Sequence, residues 1–141
     1  MDYMIGKTAT VSKTISETDV YLFAGISGDF NPVHVNRIEA EKSIFGKQIA
    51  HGILVTSLLS NVIGMKLPGP GTIYMEQDVK FKKPVYIGDT VTAKVEIEKI
   101  LNKAKNILQL STLIINQNNE VVIEGYAIVK APSRGECKNE A

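Results

Sequence analysis

The chain of 141 residues has a single cysteine, Cys137, in a polar C-terminal stretch. One thiol excludes an internal disulfide and suits a reducing compartment. No run approaches the ~20 apolar residues that a membrane-spanning helix needs. The first residues, MDYMIGKTAT, lack the apolar core of a secretory signal, so a cytoplasmic location is expected. Charge of one sign is missing too. The formal net charge is +1, which argues against nucleic acid or an anionic membrane as a partner. Neither G-x-G-x-x-G nor G-x-x-x-x-G-K-S/T occurs, so nucleotide cofactors have no support. The G-x-S-x-G elbow of a serine nucleophile is also absent.

What is present suits one domain. A chain of this length can bury about 70% of the surface its unfolded form exposes. Residues 7–15 are rich in β-branched side chains and read as a strand. Ser16 then precedes a helical pattern with Asp19 three positions on, a capping-box spacing. Leu22, Phe23 and Ile26 share a face of this helix, which is expected to stop near Gly28. Residues 29–50 read as irregular. Pro32 forbids a helix through Asn31. Asn36 is placed to cap a short turn at 37–42. Ile44, Phe45 and Ile49 are expected to pin the segment to the body.

Residues 52–65 form the most informative helix. Leu54, Val55, Leu58, Leu59, Val62, Ile63 and Met65 cover about half its circumference. Thr56, Ser57, Ser60, Asn61 and Gly64 make an opposite stripe shared with Ile53. No charge interrupts it. An uncharged helix is expected to be covered on every side, by a curled sheet on the wide face and by a pocket or another chain on the other.

Everything after the Pro68–Gly71 turn reads as strand. Ile73, Met75, Gln77, Val79 and Phe81 alternate with polar residues and Tyr74. Val91, Ala93, Val95 and Ile97 alternate likewise after the Gly88–Asp89 turn. Residues 106–117 and 120–130 are joined at Asn118–Asn119, with Val121, Ile123, Ala127 and Val129 on one face. The domain is expected to span 1–131, with a mobile tail from Pro132 to Ala141. The class is α+β, a sheet wrapped around one helix.

The two histidines both precede the long helix. His34 ends GDFNPVH, five residues after Asp29. A carboxylate and an imidazole that meet over a pocket can share a water, one taking its proton while the other orients it. Phe30, Val33 and Phe45 are expected to bury the pair. The competing reading is an Asx-type turn followed by a surface histidine. Gly52, where the long helix starts, has an N–H suited to a developing oxyanion. Alternatively it merely permits tight packing. His51 reads as a buried ring bonded to backbone. Ser60 reads either as close helix packing or as a hydroxyl at a substrate. Lys80, Lys82 and Lys83 read as a solvated strand edge, or as contacts for phosphates of a long anionic ligand. Asp29, His34 and His51 match no standard metal-site spacing, so no metal is expected.

Taken together, FAGISGDFNPVH (23–34), IFGKQIAHGILVTSLLSNVIG (44–64) and PGPGTIYMEQDVKFKKPVYIGDTVTAKVEI (68–97) resemble the MaoC-like family of (R)-specific enoyl-CoA hydratases. The resemblance runs over residues 15–130, in the family's order. It implies a hotdog fold and a homodimer. It implies Asp29 and His34 as the catalytic pair and Gly52 as the oxyanion-hole donor. Asn31, Ser60 and His51 would be substrate-binding residues. The substrate would be an acyl-CoA thioester, with no further cofactor. Asn36 departs from the family pattern but is expected still to cap. The same fold would serve a dehydratase acting on acyl carrier protein, a thioesterase, or a non-catalytic acyl-CoA-binding subunit.

Overall fold

The computed structural model describes residues 3–133. Residues 134–141, with Cys137 and most of the expected tail, lie outside the described residues. Pro132 is not loose, because Tyr3 donates its hydroxyl to the Pro132 carbonyl at 2.6 Å.

The chain opens with strand β1 (Thr8–Thr14) and helix α1 (Glu17–Ser27). The capping box is complete: Ser16 Oγ accepts from Asp19 N at 3.0 Å and Asp19 Oδ2 accepts from Ser16 N at 2.9 Å. Gly28 ends the helix with φ 80°, a conformation that costs glycine little. The buried residues of α1 are Val20 and Ala24. Leu22 and Ile26, on the shared apolar face, lie open to solvent.

Two short helices follow, α2 (Pro32–Val35) and α3 (Arg37–Lys42). Asn36 caps α3 through Glu39 N at 3.0 Å, as its position suggested. Helix α2 was not expected. Its signal was Asn-Pro, a side-chain cap followed by proline at the first helical position.

The long helix α4 runs Gly52–Met65, the bounds read from its pattern. It packs Val55, Leu58, Leu59, Val62 and Ile63 into the concave side of the sheet. Each fully buried aliphatic side chain is worth about 1.5–3 kcal/mol, so this face is a substantial part of the core it shares with the strands. Complete coverage of α4 fails within one subunit. Met65, assigned to the wide face, is 69% exposed, and Ile53, Ser57, Ser60 and Asn61 form an open stripe. No helix among the described residues is long and apolar enough to cross a membrane.

The remaining strands are β2 (Ile73–Phe81), β3 (Thr90–Asn102), β4 (Ile107–Ile115) and β5 (Val121–Lys130). They form with β1 one antiparallel sheet in the order β1-β3-β4-β5-β2. A curled antiparallel sheet around one long helix is the hotdog architecture. Val91, Ala93, Val95 and Ile97 are fully buried, as their alternation requires. Asn119, at φ 60°, makes the turn into β5. Two bulges shift the expected faces. One falls between Tyr74 and Glu76, so Tyr74, opposite Val129, joins Gln77 on the inner face while Ile73 and Met75 turn outward. The other sets Ile115 opposite Val121 and Ile114 opposite Ile123, so Val122 is buried in place of Val121.

Candidate active site

The site lies where the 28–36 segment meets the start of α4. Local bonds shape its loop. Asp29 N donates to Ser27 Oγ at 3.1 Å, and Asn31 N donates to Asp29 Oδ1 at 3.1 Å. Asn31 Oδ1 then caps α2 through Val33 N at 3.3 Å. Helix α2 turns the chain so that His34 points inward, and the residue is 8% exposed.

The 48–50 segment holds α2 in place. Ile49 N donates to the Val33 carbonyl at 3.1 Å, and Gln48 Nε2 donates to the His34 carbonyl at 2.8 Å. This segment is itself tied to 85–87. Ala50 N donates to the Val85 carbonyl at 2.7 Å, and Ile49 bridges to Tyr86. The segment PVYIGD (84–89) therefore has a structural meaning. Gly88 takes φ 100° and Asp89 Oδ2 accepts from Tyr86 N at 2.9 Å, fixing the turn that supports the His34 shelf.

The tautomers of both rings follow from their partners. His34 Nδ1 lies 2.7 Å from the Ile49 carbonyl. A carbonyl only accepts, so Nδ1 carries the proton and Nε2 of the neutral ring is a bare acceptor. His51 Nε2 lies 2.9 Å from the Asp29 carbonyl and is likewise the donor, which leaves His51 Nδ1 bare. The rings stack, with centroids 3.9 Å apart and planes inclined by 26°. Donor atoms of Asp29, His34 and His51 all lie within 4.8 Å of one another. Asp29 and His34 thus converge. A carboxylate oxygen and a bare ring nitrogen within that range can share one water, bonded to each at about 2.8 Å. The residue types would suit a metal, but nearly parallel rings aim their in-plane lone pairs along separate lines, whereas an ion needs them to meet at one point.

The expected burial of the pair is only half realised. Asp29 and Phe30 are exposed in the single chain, while His34 is enclosed. Gly52 is the first residue of α4, where an N–H has no intrahelical acceptor. The helix has no side-chain cap. A Cβ at Gly52 would lie 2.5 Å from Cε1 of Phe81, so the ring of this β2 residue lies directly against the glycine. Sequence reasoning missed Phe81, and no local signal could have found it, since it reaches the helix only through sheet pairing.

Gly52 and His34 line one apolar cavity of about 450 Å³ with Phe45, Ile53, Phe81 and Val85. Lys82 and Lys83 also line it, ion-paired to Glu124 (3.4 Å) and Glu120 respectively. Lys80 pairs with Asp78 at 2.9 Å. Four of the expected site residues do not line the cavity: Asp29 and Asn31, both exposed on the 28–31 loop, and His51 and Ser60. His51 is 3% exposed and does not line this cavity; it stands behind His34. Ser60 is exposed on the open stripe of α4 and does not line it either.

A model of the MaoC like domain matches residues 5–119. The chain belongs to this family. This MaoC-like chain is 48% identical over 134 residues to the (R)-specific enoyl-CoA hydratase of Rhodospirillum rubrum, covering 95% of this chain and 92% of that protein. It is 33% identical to a mitochondrial 3-hydroxyacyl-(acyl-carrier-protein) dehydratase of Arabidopsis thaliana, covering 92% of this chain and 78% of that one. Among solved structures, an (R)-hydratase from A. caviae involved in PHA biosynthesis matches with a TM-score of 0.89 and 41% identity, covering 92% of this chain and 98% of that chain.

Proposed function

We propose that this chain is an (R)-specific enoyl-CoA hydratase, adding water reversibly to trans-2-enoyl-CoA to give (R)-3-hydroxyacyl-CoA. One observation carries the reading: the Asp29 carboxylate and the His34 ring converge beside the uncapped start of α4, and His34 and Gly52 line one apolar cavity. The 48% identity to the Rhodospirillum rubrum enzyme supports the choice of substrate.

In this reading the acyl chain enters the cavity with its thioester carbonyl toward the Gly52 N–H. Water bonds through one hydrogen to His34 Nε2 and through the other to the Asp29 carboxylate. Its oxygen attacks the β-carbon as Asp29 takes the proton. The π electrons move onto the thioester oxygen, where the Gly52 N–H and the helix start receive the charge. The proton then passes from Asp29 to the α-carbon on the same face. Every proton and electron is accounted for by water, substrate and Asp29, so the cycle calls for no redox group and no metal.

The test is hydration of crotonyl-CoA with chiral analysis of the product. Release of (R)-3-hydroxybutyryl-CoA is expected; a product of the other hand, or none, rejects the reading. Carrier-protein thioesters in the same assay address the second reading, which the Arabidopsis relative favours. A thiol reagent detects the free thiol that a thioesterase would release. A series of acyl lengths then measures the reach of the cavity.

A homodimer completes the proposal. It would cover the open stripe of Ile53, Ser57, Ser60, Asn61 and Met65, and the outward Ile73 and Met75. It would also put Ser60 beside a second chain. Light scattering at micromolar concentration is expected to give twice the chain mass, and a monomer counts against it.

A further inference from the structure

The structure assigns His51 a role that rests on the hydratase reading but differs from substrate binding: it is the positioning residue that fixes the Asp29 loop onto the start of α4. Three observations carry this. First, the bonds that shape residues 28–31 are local, reaching no further than Ala24 on one side and His34 on the other, with one exception. That exception is the bond from His51 Nε2 to the Asp29 carbonyl, spanning 22 residues in sequence. Among the described residues it is the single hydrogen bond joining this loop to the α4 side of the site.

Second, His51 Nδ1 is buried and has no hydrogen-bond partner among the described residues. A buried lone pair without a donor destabilises the fold. A phenylalanine would fill the same space without that cost, and the ring already packs edge-on against Phe23 at 4.9 Å and flat on His34. The useful part of a histidine here is the Nε2–H. Third, His51 immediately precedes Gly52. One residue therefore ties together the Asp29 backbone, the His34 ring and the proposed oxyanion donor. Asp29 is exposed, so packing alone does not hold its carboxylate.

The chemistry asks for such a tie. Water must be met from two sides, and a misplacement near 1 Å can cost about 10²-fold in rate. The donor and the ring are separable by substitution. His51→Phe keeps the ring and removes the donor. His51→Gln removes the ring but keeps an N–H near the position of Nε2.

The experiment measures crotonyl-CoA hydration by the full chain and both variants. Alongside it, proton–nitrogen spectra follow the backbone amides of residues 28–31. Phe at 51 is expected to lower kcat by about 10²-fold with KM nearly unchanged, and to shift or broaden those amides. Gln is expected to restore most of kcat and the native amide positions. Wild-type kcat in His51→Phe overturns the proposal. So does an equal loss in both variants with the amides unmoved. Should the Phe variant fail to fold, Gln decides: activity near wild type supports the assignment, and a loss as deep as that of Asp29→Asn overturns it. If the wild type itself does not hydrate crotonyl-CoA, the hydratase reading fails, and the amide positions still decide whether His51 holds the loop.

Discussion

Among the described residues, three of the four helices begin with a side-chain cap, and the longest does not. Ser16 and Asp19 close α1 reciprocally, Asn31 caps α2, and Asn36 caps α3. Helix α4 begins at His51, whose side chain turns away to the Asp29 carbonyl. A missing cap leaves first-turn N–H groups without protein acceptors, at a cost of about 1 kcal/mol. At α1 that cost would gain nothing. At α4 the first-turn residues Gly52 and Ile53 line a cavity shared with His34. On the hydratase reading, the contrast separates helix starts that serve the fold from the one that serves the substrate. It can be broken by experiment at either kind.

The largest effects are expected beside the uncapped start. Asp29→Asn keeps the oxygen that accepts from Asn31 N and removes the base. His34→Gln removes the bare Nε2 acceptor. Each is expected to lower kcat for crotonyl-CoA hydration by about 10³-fold, within the range for general acid–base groups. Asp29 is exposed, so its variant should melt with the wild type. Near-normal turnover in either variant would remove the pair from the mechanism.

The next effect asks what Gly52 is for. Packing alone explains the glycine, since a Cβ there would strike Phe81. Phe81 is 55% exposed, so truncating it to alanine should be tolerated. In a Phe81→Ala background, Gly52→Ala keeps the N–H. Gly52→Pro removes it at the one helical position where proline is welcome. His51 has φ −61° and ψ 132°, which suits a residue before proline. If the N–H holds the oxyanion, kcat should fall by about 10²–10³-fold from the alanine to the proline variant. Equal rates would leave Gly52 as packing alone.

Much of the frame was legible along the chain. The α4 bounds, the α1 capping box and the buried alternation of β3 are local patterns, and each appeared where its pattern put it. The bulges at Met75 and Val122 were not legible, because an extra residue in a ladder shows only against its partner strand. Met65 reads as covered with the wide face of α4 because an apolar stripe does not tell which surface covers it, its own chain or a neighbour. The site divides in the same way. Asx and capping signals marked the 29–36 bend, but the spacing of Asp29 and His34 alone favoured a plain turn over a site. The family resemblance tipped it, and the fold shows the two groups meeting. Phe81 on Gly52 and the bond from His51 to Asp29 are tertiary contacts with no local trace.

The smallest effect belongs to the capped start of α1 and should leave catalysis untouched. The bond from Ser16 N, aided by Lys13 at 3.2 Å, holds the Asp19 carboxyl below its ordinary value. A depressed acid contributes stability above its unfolded pKa of about 3.9 and loses it as pH falls through the folded value. Asp19→Ala is therefore expected to cost about 0.5–1 kcal/mol at neutral pH, a few degrees in Tm for a domain of this size. The gap between variant and wild type should close as the solution is acidified below about pH 3.9. Crotonyl-CoA turnover should not change. A gap that persists in acid would mean that Asp19 acts through packing rather than charge. A loss of turnover would mean that the two kinds of helix start are not independent.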